Sequence, residues 1–330
     1  MRLSILVFAL CASVCVFLGL KWDGRLASRP ENGILLRSQA AYGFSGSGER
    51  RPFRNVARRG GEQDTSYGFL NFNSDFITLN YAVALAALRD YMANFGYTDQ
   101  DLDDLKNWRK KVHELAYKNA VEKGYSQETY DGMLRNIDAE YSEKKQEFFT
   151  SRGFRLTPDN VIGADIPGIV GKNRERMNVV ARELESVAQQ RNYGSEDLVG
   201  AALALVQTGV MYRIPPSKDE NGRYTGGVIP PVASLSEAWG DCDSKSALLG
   251  SILNNWNAIK LLVIAVPGHY LMAICRPPGR GDLFVEYHGV KCVLMEPAGP
   301  AWLAPGTVGA DTREMITAGQ DFELEPFFKP

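Results

Sequence analysis

The sequence has little of what marks a protein that binds nucleic acid or zinc. Its 37 basic and 39 acidic residues give a formal net charge of -2, so no global positive charge is available to attract a nucleic acid. It has only three histidines and five cysteines, and no Cys-x-x-Cys or His-x-x-x-His spacing that would supply neighbouring zinc ligands. We therefore expect neither nucleic acid nor zinc as a partner, which leaves catalysis and protein binding open.

A long apolar run occurs at the N-terminus. From Leu3 to Leu20 the sequence is uncharged and mostly apolar, and Arg2 and Lys21 flank it. Residues 1–21 are therefore expected to be a signal peptide or a membrane anchor, near the lower limit of about 20 residues for crossing a bilayer. No small-x-small cleavage site follows, which favours an uncleaved anchor over a cleaved signal, with a buried N-terminal helix as the remaining alternative. Positive charge on both flanks leaves the orientation open.

The rest of the chain is long enough for about two domains of roughly 150 residues each, or for one larger domain with extensions. Residues 22–66 are rich in Gly, Ser, Arg and Pro with little apolar periodicity, so we expect a flexible linker there. The arginine cluster of this segment is interpreted as solvated, the alternative being contact with anionic lipid headgroups. The cluster consists of Arg50, Arg51, Arg54, Arg58 and Arg59.

Residues 67–194 are expected to be a helical region. Segments of helical character run over 80–95, 99–124 and 126–153, and an amphipathic helix follows over about 173–192. Helix-start and helix-stop residues flank these segments. They are Thr98 with Asp101, Ser126, Gly124 and Gly153. His113 lies among charged residues with no second ligand at i±4 and is interpreted as an ordinary helix-face histidine.

Residues 195–330 change from helix to strand. A buried helix begins after Gly194 and is expected to end at the proline pair 215–216, and a long polar loop follows up to residue 234. Beyond residue 258, four apolar runs separated by Gly and Pro turns predict strands. They cover 259–266, 269–275, 283–287 and 291–296. A buried helix followed by antiparallel strands is an α+β arrangement.

Cys242 lies between two aspartates in "GDCDSKSALLGSIL". Apolar residues recur after it at three- and four-residue intervals, which predicts a helix with Cys242 in its first turn. The unpaired amides and partial positive charge of a helix N-terminus favour a thiolate and can hold an oxyanion. Asp241 and Asp243 oppose the thiolate unless they cap the helix or hold a cation. The plain alternative is that Cys242 is a small packing residue.

A cysteine nucleophile needs an imidazole base, and that base needs an orienting partner. His269 follows Pro267-Gly268 at the start of a predicted strand, 27 residues after Cys242. Glu296 ends another strand 27 residues further on. A helix and one strand separate Cys242 from His269, so we expect the three side chains to converge at one end of the sheet.

The segments "WGDCDSKSALLGSIL", "PGHYLMAI" and "VLMEPAG" together resemble the transglutaminase-like superfamily of papain-type Cys-His-Asp enzymes, especially its bacterial members. The resemblance covers about residues 195 to 305. It implies a papain/transglutaminase-like core with a catalytic helix on an antiparallel sheet, with Cys242 as nucleophile, His269 as general base and then acid, and Glu296 as the orienting group. Glu296 departs from the pattern, in which Asp or Asn is commoner, and the preceding helical region matches no family.

Other residues receive weaker assignments. Gln207 and Trp239 are candidates for the oxyanion site, although burial explains Trp239 equally well. Some relatives bind calcium, so Asp241 and Asp243 are a candidate calcium site, and no other cofactor is expected. The three cysteines beyond the anchor are an odd number, so at least one stays outside an intrachain disulfide. The remaining assignments treat Cys275 and Cys292 as buried small residues rather than a disulfide, and His288 as a hairpin residue.

These observations predict an exported thiol hydrolase that cleaves amide or peptide bonds through a Cys-His-Glu triad and an acyl-thioester. Transfer of the acyl group to an amine instead of water would make it a transglutaminase. The alternative is a membrane-tethered binding or scaffold protein without turnover. The expected partners are a protein or peptide substrate and the membrane, through the N-terminal segment. The expected location is extracytoplasmic, in the periplasm or anchored in the inner membrane facing it.

Overall fold

The computed structural model describes residues 51–157, 159–318 and 322–327. The predicted signal or anchor, residues 1–21, and the linker up to residue 50 lie outside these ranges. Within the described ranges, no helix is both long and apolar enough to cross a membrane. Helices and strands both occur, in agreement with the α+β expectation. The described residues divide into a smaller unit, 95–164 with 218–226, and a larger unit formed by the others.

The larger unit begins with a three-stranded antiparallel sheet in the order β1-β2-β3. Its strands are β1 (Phe53–Arg59), β2 (Glu62–Leu70) and β3 (Phe76–Ala84), and helix α1 (Leu85–Asn94) follows. The prediction of a flexible linker is wrong for residues 53–66, and the prediction of a helical region is wrong for residues 67–84, because β2 and β3 lie there and the helix begins only at Leu85. Gly60 and Gly61, at φ +57° and +87°, close a two-residue turn, and alternate β2 side chains such as Tyr67 are buried.

The smaller unit is built on two long helices, α2 (Asp99–Lys123) and α3 (Gln127–Ser151), with a short strand pair, β4 (Phe154–Leu156) and β5 (Ile162–Ala164). The predicted helix starts are confirmed: Thr98 and Asp101 form a capping box, and Ser126 accepts a hydrogen bond from the Thr129 amide. His113 lies within α2, and burial lowers its pKa. Part of the polar loop belongs here too, since the Tyr224 ring stacks on Tyr97 at 5.0 Å.

The chain then returns to the larger unit as a series of helices. They are α4 (Ile166–Asn173), α5 (Asn178–Arg191), α6 (Ser195–Gly209), α7 (Pro231–Glu237) and α8 (Cys242–Leu253). The predicted helix after Gly194 is confirmed, but it ends at Gly209 instead of at the prolines. The reason is that β6 (Met211–Tyr212) pairs in parallel with β7 (Trp239–Gly240), immediately before α8. This pairing draws the end of α6 towards the start of α8.

The C-terminal part forms a five-stranded antiparallel sheet in the order β10-β11-β9-β8-β12. The strands are β8 (Leu261–Val266), β9 (His269–Cys275), β10 (Phe284–Tyr287), β11 (Val290–Met295) and β12 (Glu323–Pro326), and α9 (Ala310–Thr317) precedes β12. The four predicted strands are confirmed. His288 occupies a two-residue turn at φ +48°, as expected for a hairpin residue.

Helices cover both faces of this sheet. The α8 face and the α9 face, as we name them, follow from the alternation of side chains along each strand. On the α8 face, buried residues of the helix pack with strand residues; these include Leu248, Ile252, Met272, Ile274 and Met295. On the α9 face, two half-buried residues of α9 pack with strand residues; these include Met315, Ile316, Leu271, Ala273 and Leu294.

Cys275 and Cys292 form a disulfide with an S–S distance of 2.06 Å. The expectation that they are merely buried small residues is therefore wrong. The reason is register: β9 and β11 place the two cysteines directly opposite each other, so their side chains meet on the same face of the sheet. Among the described residues, Cys242 is the cysteine that stays outside a disulfide.

Candidate active site

The first turn of α8 explains the two aspartates beside Cys242. Asp241 is the N-cap residue, and its Oδ1 accepts hydrogen bonds from the Ser244 amide at 3.0 Å and the Ser244 hydroxyl at 2.8 Å. The thiol of Cys242 donates to Asp243 Oδ1 at 3.2 Å, and Cys242 is only 1 % exposed. One aspartate therefore starts the helix, and the other accepts the hydrogen bond of the thiol.

The same three residues are the candidate cation site. One ligand atom from each of Asp241, Cys242 and Asp243 lies within 4.8 Å of the others. Calcium takes roughly six to eight oxygen ligands, whereas this set offers two carboxylates and a sulfur, and Asp241 Oδ1 already accepts two hydrogen bonds. The donor set is a poor fit for calcium as it stands. The calcium assignment stays a prediction, and no step below uses a cation.

His269 and Glu296 form a close pair. The imidazole Nε2 lies 3.0 Å from Glu296 Oε1 and 3.1 Å from Oε2, and the side chains are 15 % and 7 % exposed. The register of β9 and β11 explains the pairing, because continuing it by one residue places Glu296 opposite Leu271 and diagonal to His269. Pro267 and Gly268, the latter at φ +74°, form the turn that starts β9 at His269.

Two further groups hold the Glu296 carboxylate. The hydroxyl of Thr312, on α9, donates to Oε2 at 2.8 Å, and the amide of Ala298 donates to Oε1 at 3.4 Å. Both oxygens are therefore engaged, each by the imidazole and by one other donor. Hydrogen bonds of this kind fix the orientation of the carboxylate.

Lys245 is a fully buried lysine in the same helix turn as Cys242. Its ammonium donates to the carbonyls of Val210 at 2.8 Å and Gln207 at 3.4 Å, at the C-terminal end of α6. Burial lowers the pKa of Lys245 to about 7, and the negative charge of Glu296 raises it in part. The hydrogen bonds of Lys245 thus join α8 to the end of α6, and the charge of Glu296 acts on the Lys245 side chain.

The two oxyanion candidates are engaged elsewhere. The Gln207 amide nitrogen donates to the carbonyls of Glu296 at 2.7 Å and Leu303 at 3.0 Å, and its oxygen accepts from the Leu303 amide at 2.9 Å. The Trp239 indole N–H donates to Glu237 Oε2 at 2.9 Å. Gln207 therefore holds the chain after β11 and Trp239 bonds locally, and the assignment of either to an oxyanion site stays a prediction. The Gln207 amide has two N–H groups and the Trp239 indole has one, and the bonds described here use all three.

Cys242 and His269 are near the same end of β9 but have separate partners. One helical turn after Cys242, the Ser246 hydroxyl donates to the Tyr270 carbonyl at 3.4 Å, which brings the start of α8 beside the start of β9. Strand alternation, however, puts His269 on the α9 face, whereas α8 packs on the other. The described bond of the thiol goes to Asp243, and that of the imidazole goes to Glu296.

The sequence patterns missed Lys245 and Thr312. Lys245 had a usable signal, because it precedes Leu248 and Ile252 by three and seven residues and therefore lies on the apolar stripe of α8. Thr312 had none, because its contact with Glu296 depends on how the chain folds back between residues 296 and 312.

No family model, no curated protein sequence and no solved structure matches the chain.

Proposed function

We propose that this protein is a thiol hydrolase of amide or peptide bonds, with a core of the papain/transglutaminase-like kind and Cys242, His269 and Glu296 as its triad. The observation that carries the proposal is the nearly buried imidazole–carboxylate pair at 3.0 Å beside a helix that starts with a cysteine. Burying such a pair is costly, which makes this pair a candidate for a catalytic role.

The orientation of the imidazole supports a base role. A carboxylate only accepts hydrogen bonds, so the ring nitrogen facing Glu296, Nε2, carries the proton of the neutral imidazole. The other nitrogen, Nδ1, is then the acceptor for the proton of the Cys242 thiol. Transfer of that proton creates a thiolate and an imidazolium, which the carboxylate of Glu296 stabilises.

The chemistry then proceeds in two steps. The thiolate of Cys242 bonds to the acyl carbon, first-turn amides of α8 stabilise the oxyanion, and the C–N bond breaks as His269 gives its proton to the leaving amine. A water molecule next loses a proton to His269 and attacks the thioester, which releases the acid and restores the thiol. Before the first step, the Cys242 side chain must turn from Asp243 towards His269.

The proposal is tested by the alkylation rate of Cys242 in the full-length chain, with iodoacetamide and peptide mass spectrometry to separate it from the other cysteines. At pH 6.5 we expect Cys242 to react faster than N-acetylcysteine, because the imidazole stabilises the thiolate. His269→Asn is expected to slow it about tenfold or more, whereas His288→Asn, in a hairpin turn, leaves the rate unchanged. A rate at or below that of N-acetylcysteine, unaffected by His269→Asn, would count against the proposal.

A binding or scaffold protein without turnover is the second candidate. The 1 % exposure of Cys242, its bond to Asp243 and the placement of His269 on the α9 face favour it. If the protein is such a binding or scaffold protein, cells that carry Cys242→Ala or His269→Ala should have the phenotype of cells that carry the unmodified chain. The hydrolase proposal expects each to behave like a deletion of the whole protein.

We further propose an extracytoplasmic location with attachment through the N-terminal apolar segment. The Cys275–Cys292 disulfide supports it, because disulfides persist in oxidising compartments. In fractionated cells, protein in the alkali-resistant membrane fraction that is digested by external protease in spheroplasts is the expected outcome. Recovery in the soluble cytoplasmic fraction would contradict it.

A further inference from the structure

We infer that Thr312 is a positioning residue for the proposed triad: its hydroxyl holds the Glu296 carboxylate so that His269 keeps its proton on Nε2. The inference rests on the proposed function and deepens it. The Thr312 Oγ1 to Glu296 Oε2 distance is 2.8 Å, shorter than either contact of the carboxylate with the imidazole, at 3.0 and 3.1 Å.

The need for such a residue follows from the length of the glutamate. A glutamate has one more rotatable bond than the aspartate usual in this kind of triad, and fixing it costs more side-chain entropy. Within the described ranges, the backbone donor to this carboxylate is the Ala298 amide, at 3.4 Å from Oε1. The threonine hydroxyl supplies a donor on the other oxygen, and its β-branched side chain has few rotamers to lose.

The surroundings of Thr312 show that its hydroxyl is committed to this contact. Thr312 is the buried residue of α9 and is 5 % exposed. A hydroxyl buried this deeply needs a partner, and a hydroxyl has one proton to donate. Thr317, on the same helix, instead donates to the Arg313 carbonyl at 2.8 Å within its own helix. The two threonines are a matched pair for a test.

The first measurement reads which nitrogen of His269 carries the proton, in the full-length chain labelled with nitrogen-15 histidine. The chain has only three histidines, so three ring patterns are expected in a long-range nitrogen–proton spectrum, and His269→Asn assigns one of them. A Cys242→Ala background removes any influence of the thiol. In this background we expect His269 to show the Nε2–H pattern. We expect Thr312→Val to replace that pattern with a mixture of both tautomers, and Thr312→Ser to keep it.

Controls separate positioning from folding. Thr317→Val makes the same change on the same helix and is expected to leave the His269 pattern intact. Thermal unfolding of each variant verifies that it folds, and Thr312→Ala, which removes the hydroxyl without adding a methyl group, replaces Thr312→Val if that variant does not. A Nε2–H pattern that persists when the hydroxyl is removed from the folded chain overturns the inference.

The second measurement links the inference to the reaction. With Cys242 present, Thr312→Val is expected to slow its alkylation at pH 6.5 about threefold to tenfold, the range for the net contribution of one ordinary hydrogen bond, and Thr312→Ser is expected to restore the rate. If His269→Asn slows alkylation but Thr312→Val leaves the rate unchanged, the positioning role of Thr312 is overturned and the hydrolase proposal is not. Slow alkylation in the unmodified chain overturns the hydrolase proposal, while the tautomer result still decides the role of Thr312.

Discussion

The two faces of the five-stranded sheet are held by different means. On the α8 face, all twelve residues of the helix are buried, and apolar side chains pack continuously against the strands. On the α9 face, the helix has eight residues of which only Thr312 is buried, and the Cys275–Cys292 disulfide joins two strands. Apolar packing holds both faces, and on the α9 face the disulfide and the hydrogen bond from Thr312 to Glu296 add covalent and polar contacts.

The two faces therefore support different residues of the proposed triad. A helix buried on all sides has little freedom to move, so α8 presents Cys242 from a rigid support. The His269–Glu296 pair depends on a few directed contacts, each of which one substitution removes. Substitutions that weaken one face or the other therefore test this comparison.

Lys245 is one of several buried polar residues of α8, and its burial predicts the largest effect. Its pKa falls from the usual 10.5 to about 7 on folding, so between these values the unfolded chain binds the proton that the folded chain has released. Stability therefore rises with pH across this window, by up to about 1.4 kcal/mol per pH unit. The rise, about 4 kcal/mol in all between pH 6 and pH 10, should disappear in Lys245→Met, as measured by urea unfolding at pH 6, 8 and 10.

Lys291→Met, at an exposed position of β11, is the matched control for Lys245→Met and should keep the slope of the unmodified chain. Equal slopes for all three chains would mean that Lys245 keeps its proton on folding. Its two carbonyl partners would then have to compensate its burial.

Leu248→Ala tests the apolar burial of the α8 face. Leu248 is fully buried, and its truncation should lower the free energy of unfolding by about 3 to 4 kcal/mol, through lost apolar contact and the cavity that remains. Met315→Ala, on the half-buried side of α9, should cost about 1 kcal/mol. Urea unfolding of both variants measures the contrast, and similar losses would refute the unequal roles of the two helices.

The disulfide tests the α9 face. Replacing both cysteines, Cys275→Ser with Cys292→Ser, should lower the free energy of unfolding by about 2 to 3 kcal/mol, as expected for a crosslink that closes a short loop. The sequence separation of the two cysteines is 17 residues. Unfolding of the unmodified chain with and without a reducing agent should reproduce the difference. A reductant that changes nothing would show that the crosslink does not hold this face.

The cap of α8 predicts the smallest effect. Asp241→Ala removes the acceptor of the Ser244 bonds and should cost about 1 kcal/mol. Asp241→Asn keeps an acceptor and should cost a few tenths of a kcal/mol. Gly309, the N-cap of α9, makes no side-chain cap bond, so no corresponding loss exists on that side. If the Asn and Ala variants are equally destabilised, the charge of Asp241 matters and the cap bond does not.

Much of the α8 face could be predicted from the sequence. The apolar stripe of α8 and the four strands 261–266, 269–275, 284–287 and 290–295 follow from periodicity and from Gly and Pro turns, which are local signals. Pairing of His269 with Glu296 was predicted from their places at the ends of two strands, and the 3.0 Å contact agrees with it. Participation of Cys242 in the same reaction stays a prediction.

Two other contacts on the α9 face could not be predicted, because they depend on register and on the path of the chain. The disulfide requires that β9 and β11 pair with Cys275 opposite Cys292, and periodicity does not specify register. The contact of Thr312 with Glu296 requires a particular return path after β11. The β1–β2 hairpin was missed for another reason: its Arg, Gly and Ser content resembles a linker and hides the alternation of buried residues in β2.

The stacking of Tyr224 on Tyr97 has a consequence for how the protein can be dissected. The chain enters the smaller unit at residue 95 and leaves after 164, then enters it again at 218 and leaves after 226. The chain therefore crosses between the two units four times. Removing residues 95–164 alone would leave Tyr224 without the aromatic ring on which it stacks. An excision that respects the architecture must replace both segments with short linkers, one of them only a few residues before α7.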